Sequence, residues 1–243
     1  MRLTDRRILI TGGGSGIGLA LARALAPENQ VVIAGREEAR LEEARASTPR
    51  LEAIRLDVTS EQDAARAIGE FGQGLGGLDV LINSAGVMHA GAIDGAGADA
   101  SAVQDVEVNL LGTIRVTRLA LPLLRRSNDG AVVLLSSALA LVSSPRMAVY
   151  ASTKAAVHSL ARSLRAELRG EVKVFDVLPP WVDSDLSRDV RGPKITAGRV
   201  AEEIIEGLRK ERVDIRVGRI RQLAWIARIS PGLADSIAAR ATG

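Results

Sequence analysis

The chain has 243 residues, 47% apolar and 25% charged, with 24 glycines, no cysteine, two histidines and 2% aromatic side chains. Without cysteine there is no disulfide scaffold, thiolate nucleophile or zinc ribbon, and two histidines cannot furnish a His-rich metal site. Thirty-two basic residues (32 Lys and Arg) against 29 acids leave +3, too diffuse for a nucleic-acid groove, and so few aromatics speak against base stacking.

Arg2, Asp5, Arg6 and Arg7 precede an apolar stretch of three residues, unlike a signal peptide. No run approaches the ~18 apolar residues of a membrane span, and a cytoplasmic protein is expected.

Short apolar runs then alternate with helical patterns. Ile8-Leu9-Ile10 leads through a glycine loop into Leu19, Leu21, Ala22 and Leu25 at helical spacing. Pro27 ends that helix, and Asn29 suits a left-handed C-cap. Val31 to Ala34 precedes a charged helix around Glu37 to Arg45. Ala53 to Leu56 precedes a helix from Ser60 to Phe71, capped by Thr59 or Ser60. Val80 to Ile82 precedes a long helix from about Asp99 to Arg125. Val132 to Leu135 leads to a helix near Val149 to Arg169, and Val172 to Leu178 is the sixth run. A helix around Val200 to Lys210 separates it from the seventh, Ile215 to Val217. Buried strands alternating with helices predict parallel β-α-β units with right-handed crossovers. The fold class is α/β: a single domain with a doubly wound parallel sheet of about seven strands flanked by helices.

Thr11-Gly12-Gly13-Gly14-Ser15-Gly16-Ile17-Gly18 follows the first strand and opens the first helix. Glycines there permit a tight turn and close approach of backbone to a pyrophosphate, and the helix N-terminus offers free N–H groups. The Gly-x-x-x-Gly-x-Gly spacing after Thr11 resembles the short-chain dehydrogenase/reductase superfamily. That resemblance implies a Rossmann-type domain, with a cofactor-binding half over about 1–130, a catalytic and substrate half over about 131–218, and a tail over 219–243. It covers nearly the full chain and is weakest beyond about residue 187.

Gly12, Gly14, Ser15, Gly16, Ile17 and Gly18 are then cofactor contacts. The second strand ends in Ala34-Gly35-Arg36. An acid at that turn selects NAD by accepting the ribose hydroxyls; Gly35 stands at that place, and Arg36 follows. Loss of a carboxylate and gain of a guanidinium favour a 2′-phosphate, so NADP(H) is expected over NAD(H). Ser15 stands where some NADP members carry a second base. Asp57 and Val58 occupy the adenine-holding position, Asp57 being alternatively a helix cap. Asn83-Ser84-Ala85-Gly86 resembles the family's Asn-Asn-Ala-Gly and departs at Ser84; Asn83 is alternatively a turn residue.

The sole tyrosine, Tyr150, stands four residues before Lys154, on the same helix face. An ammonium there favours the phenolate and lowers a phenol pKa that is ordinarily ~10, as acid/base work near neutral pH requires. Ser137 lies at the family's spacing before Tyr150, and Asn109, in Val-Asn-Leu-Leu-Gly, matches its fourth active-site residue. The resemblance thus implies a set of Asn109, Ser137, Tyr150 and Lys154, and hydride transfer between a nicotinamide and a carbonyl or alcohol carbon. Ser137 then bonds the substrate oxygen, Tyr150 moves the proton, Lys154 lowers the Tyr150 pKa and holds the nicotinamide ribose, and Asn109 anchors a relay water.

Pro179-Pro180-Trp181-Val182-Asp183-Ser184 resembles the family's Pro-Gly-x-Val-x-Thr, which places Pro179, Val182 and Ser184 at the nicotinamide and Trp181 beside it. Pro180 replaces a glycine there. With His158 the Pro-Pro pair resembles a subgroup associated with D-alanyl-lipoteichoic acid operons, and no substrate is carried over from it. His158, at i+4 from Lys154, is a packed or interface histidine or else reaches the site.

Leu186 to Gly198 is expected to be a short, polar lid without a bulky apolar anchor, which does not favour a steroid-sized ligand. Arg188 or Arg191 is a candidate contact for an anionic substrate. The amphipathic tail from Leu223 to Ala241, broken at Pro231-Gly232, packs on the core, completes an oligomer interface or touches a membrane, in that order. Members of the family form dimers or tetramers through the helices carrying Asn109 and Tyr150. A homo-oligomer acting on a small carbonyl or alcohol, without nucleic acid, is therefore expected. The rival class is a catalytically silent cofactor sensor or scaffold, whose mark is a broken tetrad.

Overall fold

The computed structural model describes residues 1–190 and 192–242; Arg191, named above as a candidate anion contact, lies outside the described residues. Strands β1 (Arg7–Thr11), β2 (Gln30–Gly35), β3 (Leu51–Arg55), β4 (Val80–Asn83), β5 (Ala131–Leu135) and β6 (Lys173–Leu178) alternate with helices. These helices are α1 (Gly16–Leu25), α2 (Glu38–Ser47), α3 (Glu61–Leu75), α4 (Ala98–Val106), α5 (Thr113–Leu124) and α6 (Ala148–Glu167). A short pair, β7 (Val182–Asp183) and β8 (Ile195–Thr196), is followed by α7 (Ala197–Arg209), β9 (Asp214–Arg216), α8 (Ile220–Ile229) and α9 (Pro231–Thr242).

The main sheet has seven parallel strands in the order β3-β2-β1-β4-β5-β6-β9. Strand order reverses between β1 and β4, which opens a crevice at their carboxyl ends. Both faces of the sheet's centre are apolar, because β1, β4, β5 and β6 are buried on both sides. Ile8 and Ile10 face the cluster that includes Ile33, Ile82, Phe175 and residues of α1 and α7. Leu9, between them, faces the opposite cluster with Leu81, Leu134, Val174 and residues of α3, α5 and α6. That is the two-residue alternation of a strand used twice.

All seven expected runs are strands. Ser60 caps α3 by accepting the Asp63 amide at 3.2 Å. The predicted long helix over Asp99 to Arg125 is present as α4, a π-helical segment from Glu107 to Gly112, and α5.

Asn29 differs from expectation. A short 3-10 turn, Ala26–Glu28, holds Pro27 after α1, and Asn29 is extended at φ −142°. Its side chain, not a left-handed backbone, ends the helix. Asn29 Nδ2 donates to the carbonyls of Leu25 (2.8 Å) and Leu3 (3.1 Å), and Oδ1 accepts the Arg6 amide at 3.0 Å.

Candidate active site

The glycine loop turns directly from β1 into α1. Gly12 has φ +65°, and a Cβ there would lie 2.7 Å from the backbone of Ala85. A Cβ on Gly18 would lie 2.3 Å from the Gly12 carbonyl oxygen, so neither position admits another residue. Thr11 Oγ1 accepts the Ala85 amide at 3.2 Å and pins the end of β4 beside the loop. Ser15 caps α1 without a side-chain bond, and the first turn carries no acid. The N–H groups of that turn are therefore open to an anion, with no acidic side chain of the turn competing for them. Together with the crevice, this cradle fits a dinucleotide pyrophosphate.

A groove continues from the loop along Gly14, Ser15, Arg36, Leu56, Val58, Ala85 and Gly86. Arg36 is exposed at its rim, with no ion pair among the described residues. Its acidic neighbour Glu37 is tied instead to Arg40 at 2.9 Å, and Arg40 also reaches Asp185 at 2.9 Å. Asp57, expected at the adenine, also serves a turn at the end of β3. Its Oδ1 accepts the Thr59 amide (2.9 Å) and hydroxyl (2.8 Å), while its own amide donates to Asp63 at 2.7 Å. Asn83 is buried, and its Nδ2 donates to Thr117 Oγ1 at 3.0 Å.

The second half of the crevice is built by α4–α5, β5 and α6. Asn109 lies in the π-helical segment and is fully buried. Its amide spans the loop after β4, accepting the Val87 N–H and donating to the Val87 carbonyl, both at 2.9 Å. A Cβ on Gly86 would meet Asn109 Oδ1 at 3.1 Å and Lys154 Nζ at 3.7 Å, so Gly86, Asn109 and Lys154 converge. Ser137 ends the β5 connection, its hydroxyl accepting the Leu139 amide at 3.1 Å. The Ala138 amide donates to the Pro179 carbonyl at 3.0 Å, joining the serine loop to the end of β6. Tyr150 and Lys154 are buried on one face of α6. Ser184 lies against Gly16, whose added Cβ would be 3.4 Å from the Ser184 Cβ. Val182 is buried in the core with its carbonyl turned to the Ser187 hydroxyl.

Electrostatics at the phenol differ from the simple expectation. Burial pushes Tyr150 up to about 12, opposed by hydrogen bonding with Ser137 and reinforced by the charge of Asp105. Burial also pulls Lys154 down to about 8, against the charges of Asp176 and Asp105. Both members of the pair are thus shifted chiefly by burial, which disfavours the charged form of each.

The sequence-based reading missed three features. Asp105 on α4 is buried and bonded to His89 Nδ1 at 2.8 Å; its burial raises its pKa, with His89 opposing. Asp176 on β6 is buried and bonded to His158 Nδ1 at 2.5 Å. The third is an apolar wall. Tyr150 belongs to a cluster with Leu139, Val142, Met147, Val190, Ala234 and Ala238, against which Met88, Trp181, Leu223 and Ile226 pack. Val190 anchors the segment expected to be polar and without a bulky apolar anchor, and α8–α9 pack over the site. Among these signals only the 3-4 spacing of apolar residues in the tail was visible in the sequence.

A family model described as short chain dehydrogenase matches residues 6–194. Over 235 residues the chain is 34% identical to an uncharacterized oxidoreductase, DltE, of Bacillus subtilis (strain 168), covering 92% of each. Among solved structures it is similar to a short chain dehydrogenase from Burkholderia cenocepacia J2315 in complex with NADP, with TM-score 0.88, 27% identity and 98% of each chain covered. It also shares its fold with a short chain dehydrogenase/reductase from Burkholderia phymatum in complex with NAD, with TM-score 0.84, 24% identity, and 96% of this chain and 98% of the other covered. The chain belongs to the short-chain dehydrogenase/reductase family, and it is an oxidoreductase of that family.

Proposed function

We propose that this oxidoreductase uses NADP(H) to interconvert a small carbonyl compound and its alcohol, with Tyr150 as the acid/base. The observation that carries this reading is the convergence of Asn109, Ser137, Tyr150 and Lys154 beside an apolar wall at the carboxyl end of the sheet. A bound nicotinamide supplies or accepts the hydride. The protein's residues do the rest. The α1 N–H groups hold the pyrophosphate. Arg36, with no ion-pair partner among the described residues, takes the 2′-phosphate, while Glu37 is withheld from the ribose by Arg40.

Ser137 donates its hydroxyl proton to the substrate oxygen and stabilises charge developing there. In reduction Tyr150 gives its proton to that oxygen; in oxidation it takes one. Lys154 donates to the nicotinamide ribose and, as the ammonium, supports the phenolate. Asn109 fixes the loop at Val87 and the nearby backbone for a relay water. Trp181, Val182, Ser184 and Pro179 bound the nicotinamide end. The wall of Met88, Trp181, Leu223 and Ile226 suits an apolar group on the substrate's far side from the carbonyl.

Val103, Leu111 and Ile114, exposed on α4–α5 and the segment joining them, support association of copies through the Asn109 helix. Among the described residues no helix is long and apolar enough to cross a membrane.

The deciding experiment is a panel of aldehydes, ketones and alcohols with NADPH and NADH, with Tyr150→Phe as control. Turnover of apolar carbonyls that is lost in Tyr150→Phe bears the proposal out. NADPH binding without turnover across the panel would instead indicate a sensor.

A further inference from the structure

The parallel sheet carries an anomaly on β6. Asp176 sits in mid-strand at 0% exposure, on the face otherwise filled by Val174, Leu134 and Val157. A buried carboxylate in such a place is costly unless it is paired. One oxygen, Oδ2, bonds His158 Nδ1. The other, Oδ1, is buried with no hydrogen-bond partner.

Two cations of α6 reach this region: Arg165 is committed to the carbonyls of Val174 and Val213 and to Asp214 at 3.1 Å, which leaves Lys154 for the Asp176 carboxylate. Asp176 is in register with Leu134 on β5. The Lys154 ammonium donates at 2.9 Å to the carbonyl of Leu135, the next residue. Lys154 also precedes His158 by one helical turn on α6, so both side chains descend on the same face toward β6. An ammonium has three donors, and Leu135 takes one of them. The groups facing Lys154 are Tyr150 and His158 from its own helix, Asp176 from β6 and Asp105, with His89, from the α4 side.

We infer that Asp176, held in place by His158, is a positioning residue that serves as the buried counter-ion of Lys154 and keeps it an ammonium beneath Tyr150. This rests on the Tyr150–Lys154 acid/base reading and extends it. In line with it, the charge of Asp176 is the larger of the two carboxylate influences that raise the proton affinity of Lys154 against burial.

Lys154, Lys173, Lys194 and Lys210 are the only lysines, so ε-13C-lysine NMR of the full chain resolves each one, with Lys154→Arg identifying the relevant signal. In Asp176→Asn the Lys154 titration midpoint should fall by about one pH unit, and Asp176→Glu should keep it near the wild-type value. An unchanged midpoint in folded Asp176→Asn overturns the inference. Should that variant not fold, the wild type decides: the Asp176 carboxyl 13C shift must show an inflection at the Lys154 midpoint, and its absence overturns the inference. These readings need no turnover. If they come out as expected while Tyr150→Phe remains active, the functional reading fails and the counter-ion stands.

Discussion

The Lys154 ammonium sits over the Tyr150 ring, 5.7 Å from its centroid, and donates to the Leu135 carbonyl. Spacing in the sequence brings the two side chains to one helix face, but packing decides which atoms meet. The ammonium faces the ring while the phenol interacts with Ser137. Replacing the hydroxyl should therefore disturb little besides proton transfer. Tyr150→Phe is expected to lower kcat by about a thousandfold and to leave the Kd for NADPH nearly unchanged. Steady-state rates and the emission of Trp181 on cofactor titration measure the two effects separately.

Lys154 is a charge buried at a cost to the fold. Burial takes its pKa from an ordinary 10.5 to about 8, so between those values the unfolded chain binds more protons than the native one. The sign follows from linkage: this group's contribution to stability rises as pH climbs from 8 toward 10.5. Lys154→Met lacks this titration and leaves the Asp176 carboxylate buried without its counter-ion, so at pH 7 it should be less stable than wild type by about 3 kcal/mol, with activity lost at every pH. Its stability should also lack the rise that the wild type shows between about pH 8 and 10.5. Urea unfolding at a series of pH values tests both, and an equal rise in the variant would contradict the assignment to Lys154.

Arg36 and Glu37 set the cofactor test. Arg36 is exposed at the groove rim with no ion pair among the described residues, and Glu37 is engaged with Arg40. Arg36→Asp removes the proposed phosphate contact and adds an acceptor for ribose hydroxyls. A charged hydrogen bond is worth about 2 kcal/mol, so the NADPH:NADH ratio of kcat/KM should fall roughly thirtyfold. An unchanged ratio would locate the 2′-phosphate elsewhere.

Much of this was legible in the sequence because it is local. A glycine loop between an apolar run and a helical pattern has one geometric use, and Tyr150, four before Lys154, shares a face with it on any helix. Seven apolar runs gave seven strands for the same reason. What escaped was set by contacts distant in the chain. His158 and Asp176 are eighteen residues apart, and only the α6-on-β6 packing joins them. Asp105 lies on the same helical stretch as Asn109, yet nothing in the sequence marks its link to His89. The apolar wall combines Met88, Trp181 and the tail, so Val190, in a segment judged polar, finds its apolar partners in distant parts of the chain. Asn29 failed differently: the residue type fits a left-handed cap, but the neighbouring Leu3 and Arg6 offered its side chain better bonds.

Asp79 supplies the acid limit of the fold. It precedes β4 and is bonded by Arg7 at three points: Nε and the amide to Oδ2 and Nη2 to Oδ1, each at 2.9 Å. Ser127 donates to Oδ1 at 2.6 Å, and the Asp79 carbonyl accepts the Ala131 amide at 2.9 Å. One residue thus clamps β1, β4 and the entry to β5. Burial alone raises the Asp79 pKa, but the bonds from Arg7 and Ser127 overcome it and hold the carboxyl well below the usual range. A depressed carboxylate stabilises the fold above its unfolded pKa of ~4 and loses that contribution as pH falls toward the folded value. Arg7 remains partly exposed, which limits the gain through solvent screening. Asp79→Asn is expected to cost about 2 kcal/mol at pH 7 and to flatten the stability profile below pH ~4. Denaturant midpoints at pH 7 and pH 3 measure both effects. If the gap between variant and wild type were equal at the two pH values, Asp79 would be contributing shape and not charge.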